Sequence, residues 1–192
     1  MSSTTPGTPP QSRSLPRSVG PRVAAIPEGD NRERLTCPEC GFIEYANPKV
    51  VVGSVVHWQG RILLCRRAIN PRHGFWTIPA GYLELNETAQ DGAMREAHEE
   101  ACARISLEGL IAVYNIPRLS QVQLIFRARL LDDGACAAGA ESLEVKLFAW
   151  DEIPWSELAF PSTHWALGHY REIAGAGSFA AQTNPPGETG DY

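Results

Sequence analysis

From Gly81 to Ala103 the chain reads GYLELNETAQDGAMREAHEEACA, with six carboxylates between Glu84 and Glu100. Three of these, Glu96, Glu99 and Glu100, fall within five positions. On a helix Glu96 and Glu100 stand at i and i+4, with Glu99 at i+3, so all three share one face. Bare, such like charges destabilise a helix by about a few tenths of a kcal/mol per pair. A divalent cation reverses that sign. Oxygen-only donors favour a hard ion such as Mg²⁺ or Mn²⁺, and Mg²⁺ commonly takes one or two carboxylates together with phosphate oxygens. The rival reading is a solvated acidic face, and spacing alone leaves both open. Just upstream, Gly81 lets the backbone turn sharply and approach a ligand closely.

The elements that must position these residues are readable as pattern. PKVVVGSVVHW is β-branched and apolar, a buried strand; Gln59-Gly60 offers a turn, and RILLCRR returns as the second strand of a hairpin. FWTIPAG is a short strand closed by Pro79 and Gly81. Asn86 to Ala101 is expected to be a helix capped by Asn86 or Thr88, with Glu87 and Asp91 at the positive end of its dipole. ISLEGLIAVYNI and SQVQLIFRARLL are two more strands parted by Pro117, and LEVKLFAW is another. DEIPWSEL suits a turn or short helix. STHWALGHYREI suits a closing helix capped by Ser162 or Thr163. Strands, helix, strands, helix imply a mixed sheet with helices packed on it, an α+β or α/β sandwich.

The 192 residues suit one main domain, and 43% hydrophobic with 20% charged residues is ordinary for a globular chain. A net charge of -5 argues against a broad nucleic-acid-binding face. The longest apolar run near the N-terminus is VAAI at 23–26, so neither a secretory leader nor a membrane span is expected, and the expected location is cytoplasmic. The organisation expected is a disordered arm at 1–25, a segment at 26–48 that carries a Cys-x-x-Cys pair, the main domain at 49–173 and a disordered tail at 174–192. The five cysteines are an odd number, and only Cys37 and Cys40 show a motif spacing.

The acidic stretch resembles the Nudix box, G-x5-E-x7-R-E-U-x-E-E-x-G-U with U apolar: Gly81, Glu87, Arg95, Glu96, Ala97, Glu99 and Glu100 fill its positions. The second glycine of the box is replaced by Cys102, which a left-handed backbone would make unfavourable by about 1 kcal/mol; its side chain is expected to be small and buried. The likeness extends from Ile26 to Arg171, through GFWTIPAGYLE, ESLEVKLFAWDEIPW and LAFPS, to the zinc-ribbon-bearing Nudix hydrolases. It implies a Nudix fold, an α+β fold built as an α/β/α sandwich around a mixed β-sheet, and a pyrophosphatase that splits the diphosphate bond of a nucleoside diphosphate derivative, FAD or ADP-ribose first. Other nucleotides, such as NADH or nucleoside triphosphates, are the alternative. A non-catalytic nucleotide sensor is a further rival, weakened because every box carboxylate is kept.

Carried over by position, Glu96 and Glu100 are the expected metal ligands, with Glu99 sharing ions and the Ala80 carbonyl completing the shell. Glu87 and Arg95 are expected to pair and support the loop, with Gly81 giving the turn. The general base is a box glutamate, Glu99 or Glu100, or a distant carboxylate, Glu144 and behind it Glu141. One of Arg66 and Arg67 is expected on a diphosphate oxygen, with alternation sending the other to solvent. Of the aromatics near the expected mouth, Tyr82 and Tyr114 are stacking candidates, Tyr114 the better; Trp76 is expected in the core. Cys37 and Cys40 supply two thiolates where a structural zinc wants four ligands, and SLPRSVGPRV upstream has no cysteine or histidine. A degenerate ribbon without zinc is expected, against zinc completed by another chain or distant residues. Mg²⁺ or Mn²⁺ is the expected cofactor. The expected partner is a small nucleotide, with no nucleic acid or membrane, and a homodimer is left open.

Overall fold

A computed structural model describes residues 20–190. The chain divides at Asn47 and Pro48 into two compact units. In the first, β1 (Val23–Ala25), β2 (Arg34–Thr36) and β3 (Ile43–Glu44) form an antiparallel sheet in that order. Cys37 and Cys40 lie in the turn between β2 and β3, where the Cys37 amide donates to Phe42 O at 2.8 Å and the Gly41 amide to Cys37 O at 2.9 Å. Arg22 pairs with Glu39, and the Cys37 thiol donates to the same carboxylate at 3.1 Å. Of the arm expected to be disordered, residues 1–19 lie outside the described residues. Val23–Ala25 is instead a strand, because its backbone pairs with Thr36, Leu35 and Arg34.

The second unit is a mixed sheet of β4 (Lys49–Trp58), β5 (Arg61–Arg67), β6 (Trp76–Thr77), β7 (Ala80–Tyr82), β8 (Ile105–Ile116), β9 (Gln121–Leu130) and β10 (Ser142–Ala149), with helices α1 (Ala89–Ala101) and α2 (Pro161–Ile173). The strand order is β10-β5-β4-β9-β8, and only β4 and β9 run parallel. Gln59 and Gly60 both take positive φ, 46° and 75°, which gives the tight two-residue turn between β4 and β5. The two strands pair only at that turn and then diverge. Residues 76–82 fill the gap, β6 pairing with β5 and β7 with β4.

Alternation along the strands feeds both faces of the sheet. Val55, Ile62 and Leu64 pack with Ala166, Leu167 and Tyr170 of α2. Val56, Leu63 and Cys65 pack with Ala97 and Ala101 of α1. The helices therefore cover opposite faces, which makes the expected α/β/α sandwich.

Two local expectations are corrected. Neither Ser162 nor Thr163 caps α2. The helix starts at Pro161, whose missing N–H suits the first position, and Phe160 precedes it with no side-chain cap. The Thr163 hydroxyl is buried against that of Thr77 at 3.2 Å. Nor is the C-terminal stretch loose. Gln182 bridges Ala112 in parallel, its amide donating to Ile111 O at 2.8 Å and its carbonyl accepting from Val113 N at 2.9 Å. The edge of β8 offers unpaired backbone groups, and satisfying them orders a segment whose composition alone would not.

Candidate active site

Helix α1 is anchored at both ends. Thr88 caps its start, its hydroxyl accepting from Asp91 N at 3.1 Å. Asn86, the other cap candidate, instead turns the preceding loop with φ 66°. Arg95 then ties that loop to the helix. It donates to Glu87 Oε1 at 2.8 Å and Oε2 at 3.1 Å, to Tyr82 O at 3.0 Å, to Glu96 Oε1 at 2.7 Å and to Glu99 Oε2 at 2.9 Å. Glu87 also accepts from Glu84 N at 2.7 Å. The arginine and that amide hold its carboxyl down at about 2, and the carboxylates of Glu87 foremost, then Glu96 and Glu99, push Arg95 up against its burial.

At the other end Cys102 is left-handed, φ 47°, and its amide donates to His98 O at 2.8 Å. Its side chain is exposed rather than buried, because a residue one step past the last helical turn points away from the sheet. The final carbonyls of α1 accept amides from the loop before β10: Ala137 N to Ala101 O at 2.8 Å and Gly139 N to Glu100 O at 3.1 Å. A Cβ at Gly139 would overlap the Glu99 carbonyl, so this close approach demands glycine.

The acidic stripe splits. Glu96 and Glu100 are buried, 8% and 5% exposed, and face β7. The Glu96 carboxylate lies against Gly81, where a Cβ would overlap it. Glu100 Oε2 accepts from the Ala80 amide at 3.1 Å. Burial pushes Glu100 up to about 8; the Ala80 amide and Arg67 oppose this, and Glu96 and Glu141 reinforce it. Burial also raises Glu96, against the pull of Arg95. Glu99 is exposed on the Arg95 side. Among the described residues, no three His, Cys, Asp or Glu side chains are grouped as a ready metal cluster. What the structure does bring together is a pair of desolvated carboxylates on a cleft. That donor set fits a hard dication whose remaining ligands are water and phosphate oxygens.

The cleft has a volume of about 990 Å³ and reaches from these carboxylates across the sheet. Arg67, Tyr82 and Glu141 line it. Arg67 is buried, donates to Pro71 O at 2.8 Å and sits over the Phe160 ring at 5.1 Å. Tyr82 is half-exposed, its hydroxyl accepting from Gln121 Nε2 at 3.1 Å.

Three of the candidates read from the sequence are not brought to the cleft. Arg66 turns the other way, donating to Gly74 O at 2.9 Å and standing 3.8 Å from Glu144. Glu144 is thereby paired on the sheet surface, beyond the irregularity that separates it from Ser142. Tyr114, expected to stack on a base, is fully buried, with its hydroxyl 2.8 Å from His169 Nδ1 and its ring edge-on to Trp165. Trp76 is in the core, edge-on to Phe148. Sequence reasoning passed over Arg118, Gln121, Gln123 and Phe160, which also line the cleft. The signal available was the place of Arg118 beside Pro117 and of Phe160 beside Pro161, and of Gln121 and Gln123 at the start of β9.

Comparison with known proteins agrees with this architecture. Residues 47–167 match the NUDIX domain family, and residues 20–46 match the family described as Nudix N-terminal, a zinc-ribbon segment. A MutT-like protein of Streptomyces ambofaciens is 38% identical over 103 residues, 54% of this chain and 64% of its own length, so the match spans slightly less than two thirds of that relative. An ADP-ribose pyrophosphatase of Methanocaldococcus jannaschii is 29% identical over 60% of this chain and 69% of its own. The crystal structure of a NUDIX hydrolase from Nitrosomonas europaea superposes with a TM-score of 0.78 at 48% identity, covering 84% of this chain and 91% of that one. No helix among the described residues is long and apolar enough to cross a membrane.

Proposed function

Because the chain belongs to the NUDIX hydrolase family, we propose that it splits the diphosphate bond of a nucleoside diphosphate derivative, ADP-ribose or FAD first, with Mg²⁺ or Mn²⁺. The observation that carries this reading is the buried Glu96–Glu100 pair, set against Gly81 and Ala80 on the floor of the cleft. ADP-ribose is favoured by the name of the Methanocaldococcus relative. FAD rests on the sequence resemblance alone.

Glu96 and Glu100 would hold the dication, and Glu99, exposed on the Arg95 side, lines the same cleft. When bound, the ion neutralises phosphate oxygens and lowers the pKa of a coordinated water. Arg67, held by the Pro71 carbonyl and the Phe160 ring, presents its charge to a diphosphate oxygen. Glu141 receives the proton of the attacking water in preference to Glu144: it lines the cleft and is close enough to raise the Glu96 and Glu100 pKa values. Arg95 and Glu87 keep loop and helix in register, and Tyr82, its hydroxyl on Gln121, lines the path between the carboxylates and the nucleoside.

The test is a panel of nucleoside diphosphate derivatives, with Mg²⁺, with Mn²⁺ and with EDTA, read by product identity. ADP-ribose gives AMP and ribose phosphate, and FAD gives FMN and AMP. The reading is lost if a folded protein releases no product with either metal.

A further inference from the structure

Residues 176–190, expected to be a loose tail, are fixed at successive points. Arg127 Nη1 donates to Ile173 O at 3.1 Å and Ala176 O at 2.9 Å, turning the chain off α2. Phe179 then lies over the Arg127 guanidinium at 4.4 Å and fills the space left by Gly109, where a Cβ would stand 2.9 Å from its ring. After the Gln182 bridge, the Asn184 side chain imitates a strand residue. Its Oδ1 accepts from Asn115 N at 2.8 Å, and its Nδ2 donates to Asn115 O at 2.8 Å and to Glu188 O at 3.0 Å. The segment ends the described chain at Gly190, buried with φ 80°, where a Cβ would stand 2.5 Å from Ile116 Cδ1 and 3.5 Å from Trp165. Gly190 lines the same cleft as Glu96 and Glu100.

The sheet supplies a ruler between the two ends. Ala80, Gly53, Ile125, Ala112 and Gln182 are successive partners across β7, β4, β9, β8 and the C-terminal segment. At about 4.8 Å per strand, β8 lies roughly 14 Å and the segment roughly 19 Å from the Ala80 amide that holds Glu100. Ile116, against which Gly190 stands, lies four positions along β8 from Ala112, a further offset of roughly 13 Å along the strand, so a bare diphosphate is too short to touch both ends, whereas a nucleoside diphosphate with the group it carries can reach across. The far end is also chemically different: Ile116 and Leu119 are apolar, Gln121 and Gln123 carry amides, and none is acidic.

Resting on the hydrolase reading, we infer that residues 179–190 are a specificity strap whose end at Gly190 builds the wall receiving the nucleoside part of the substrate. Gly190 is there because the wall must pass close to Ile116, and the strap sets the room left for a base without touching the diphosphate.

The test uses the full chain as wild type, Gly190→Val and Asn184→Asp. The first thickens the wall; the second keeps side-chain shape but removes the donor to Asn115 O. AMP binding is measured by calorimetry, ADP-ribose hydrolysis by steady-state kinetics, and folding by thermal melts. In both variants AMP binding weakens about tenfold and KM for ADP-ribose rises to match. The kcat and the Mg²⁺ concentration giving half-maximal rate stay within about twofold, which a merely structural loosening would not spare. Unchanged AMP affinity and KM in folded variants overturn the strap while leaving the hydrolase intact. Weakened AMP binding in variants of a wild type that hydrolyses nothing upholds the strap as a nucleotide-binding wall and sinks the hydrolase. A wild type that neither binds AMP nor hydrolyses ADP-ribose overturns both.

Discussion

At the carboxylate end of the cleft, one arginine gathers Glu87, Glu96, Glu99 and the Tyr82 carbonyl, all within the stretch from Tyr82 to Glu99. At the far end, Asn184 reaches Asn115 across 69 positions of chain. The first end is a local device: helix periodicity brings its charges together wherever α1 forms. The second exists only once the sheet is complete and has an edge to offer. The difference teaches that the chemistry and the shape of this cleft are encoded on different length scales.

Breaking the local device has the largest effect. Glu100→Gln keeps the fold and lowers kcat by about 10³-fold, about 4 kcal/mol of transition-state stabilisation; a folded variant at the wild-type rate removes the metal assignment. Arg95→Ala comes next, since it frees loop and helix together. It weakens metal affinity about 10–100-fold, as read by metal titration. Arg95→Lys does not restore it, because a single ammonium cannot reproduce five directed bonds.

Tyr114→Phe sharpens the comparison from the core between the two ends. Losing the contact with His169 lowers stability by about 1 kcal/mol, measured by denaturant melts, while KM stays put; a higher KM would return Tyr114 to the substrate. The smallest effect lies at the root of the C-terminal segment. Burial raises the Glu108 pKa, but His57 and Arg127 outweigh it and hold it below the ordinary value. Such a carboxylate stabilises the fold above its unfolded pKa, and the gain is lost as pH falls through the lower folded value. The stability advantage of wild type over Glu108→Gln, under about 1 kcal/mol for this part-exposed group, is therefore present at neutral pH and gone in strong acid. Melting temperatures across pH check the sign.

The box was legible because residue type and spacing carry it whole, and the strands because their apolar runs are long. Which of Arg66 and Arg67 faces the cleft was not, since alternation needs a fixed point and the sequence offers none. Tyr114 misled for a related reason: β8 shifts register against β9 twice, between Leu107 and Gly109 and between Leu110 and Ala112, and each shift re-aims the residues beyond it. Glu144 was displaced by the irregularity next to Ser142. The C-terminal segment was invisible because Gly, Ala and Pro signal looseness, and its order comes from a strand some seventy positions away.

The strand-like grip of Gln182 and Asn184 on β8 also governs how molecules of this protein meet. Between Ile111 and Asn115 that edge of the sheet is occupied by its own chain, so a second molecule cannot continue the ladder over those residues. Among the described residues no strand lies outside β10, where exposed Glu144 and Lys146 put charge on the rim, a pattern that discourages edge-to-edge stacking. Cutting the segment away should therefore do more than reshape a binding wall: it would uncover the β8 backbone at Ile111, Val113 and Asn115 and lengthen the edge open to aggregation.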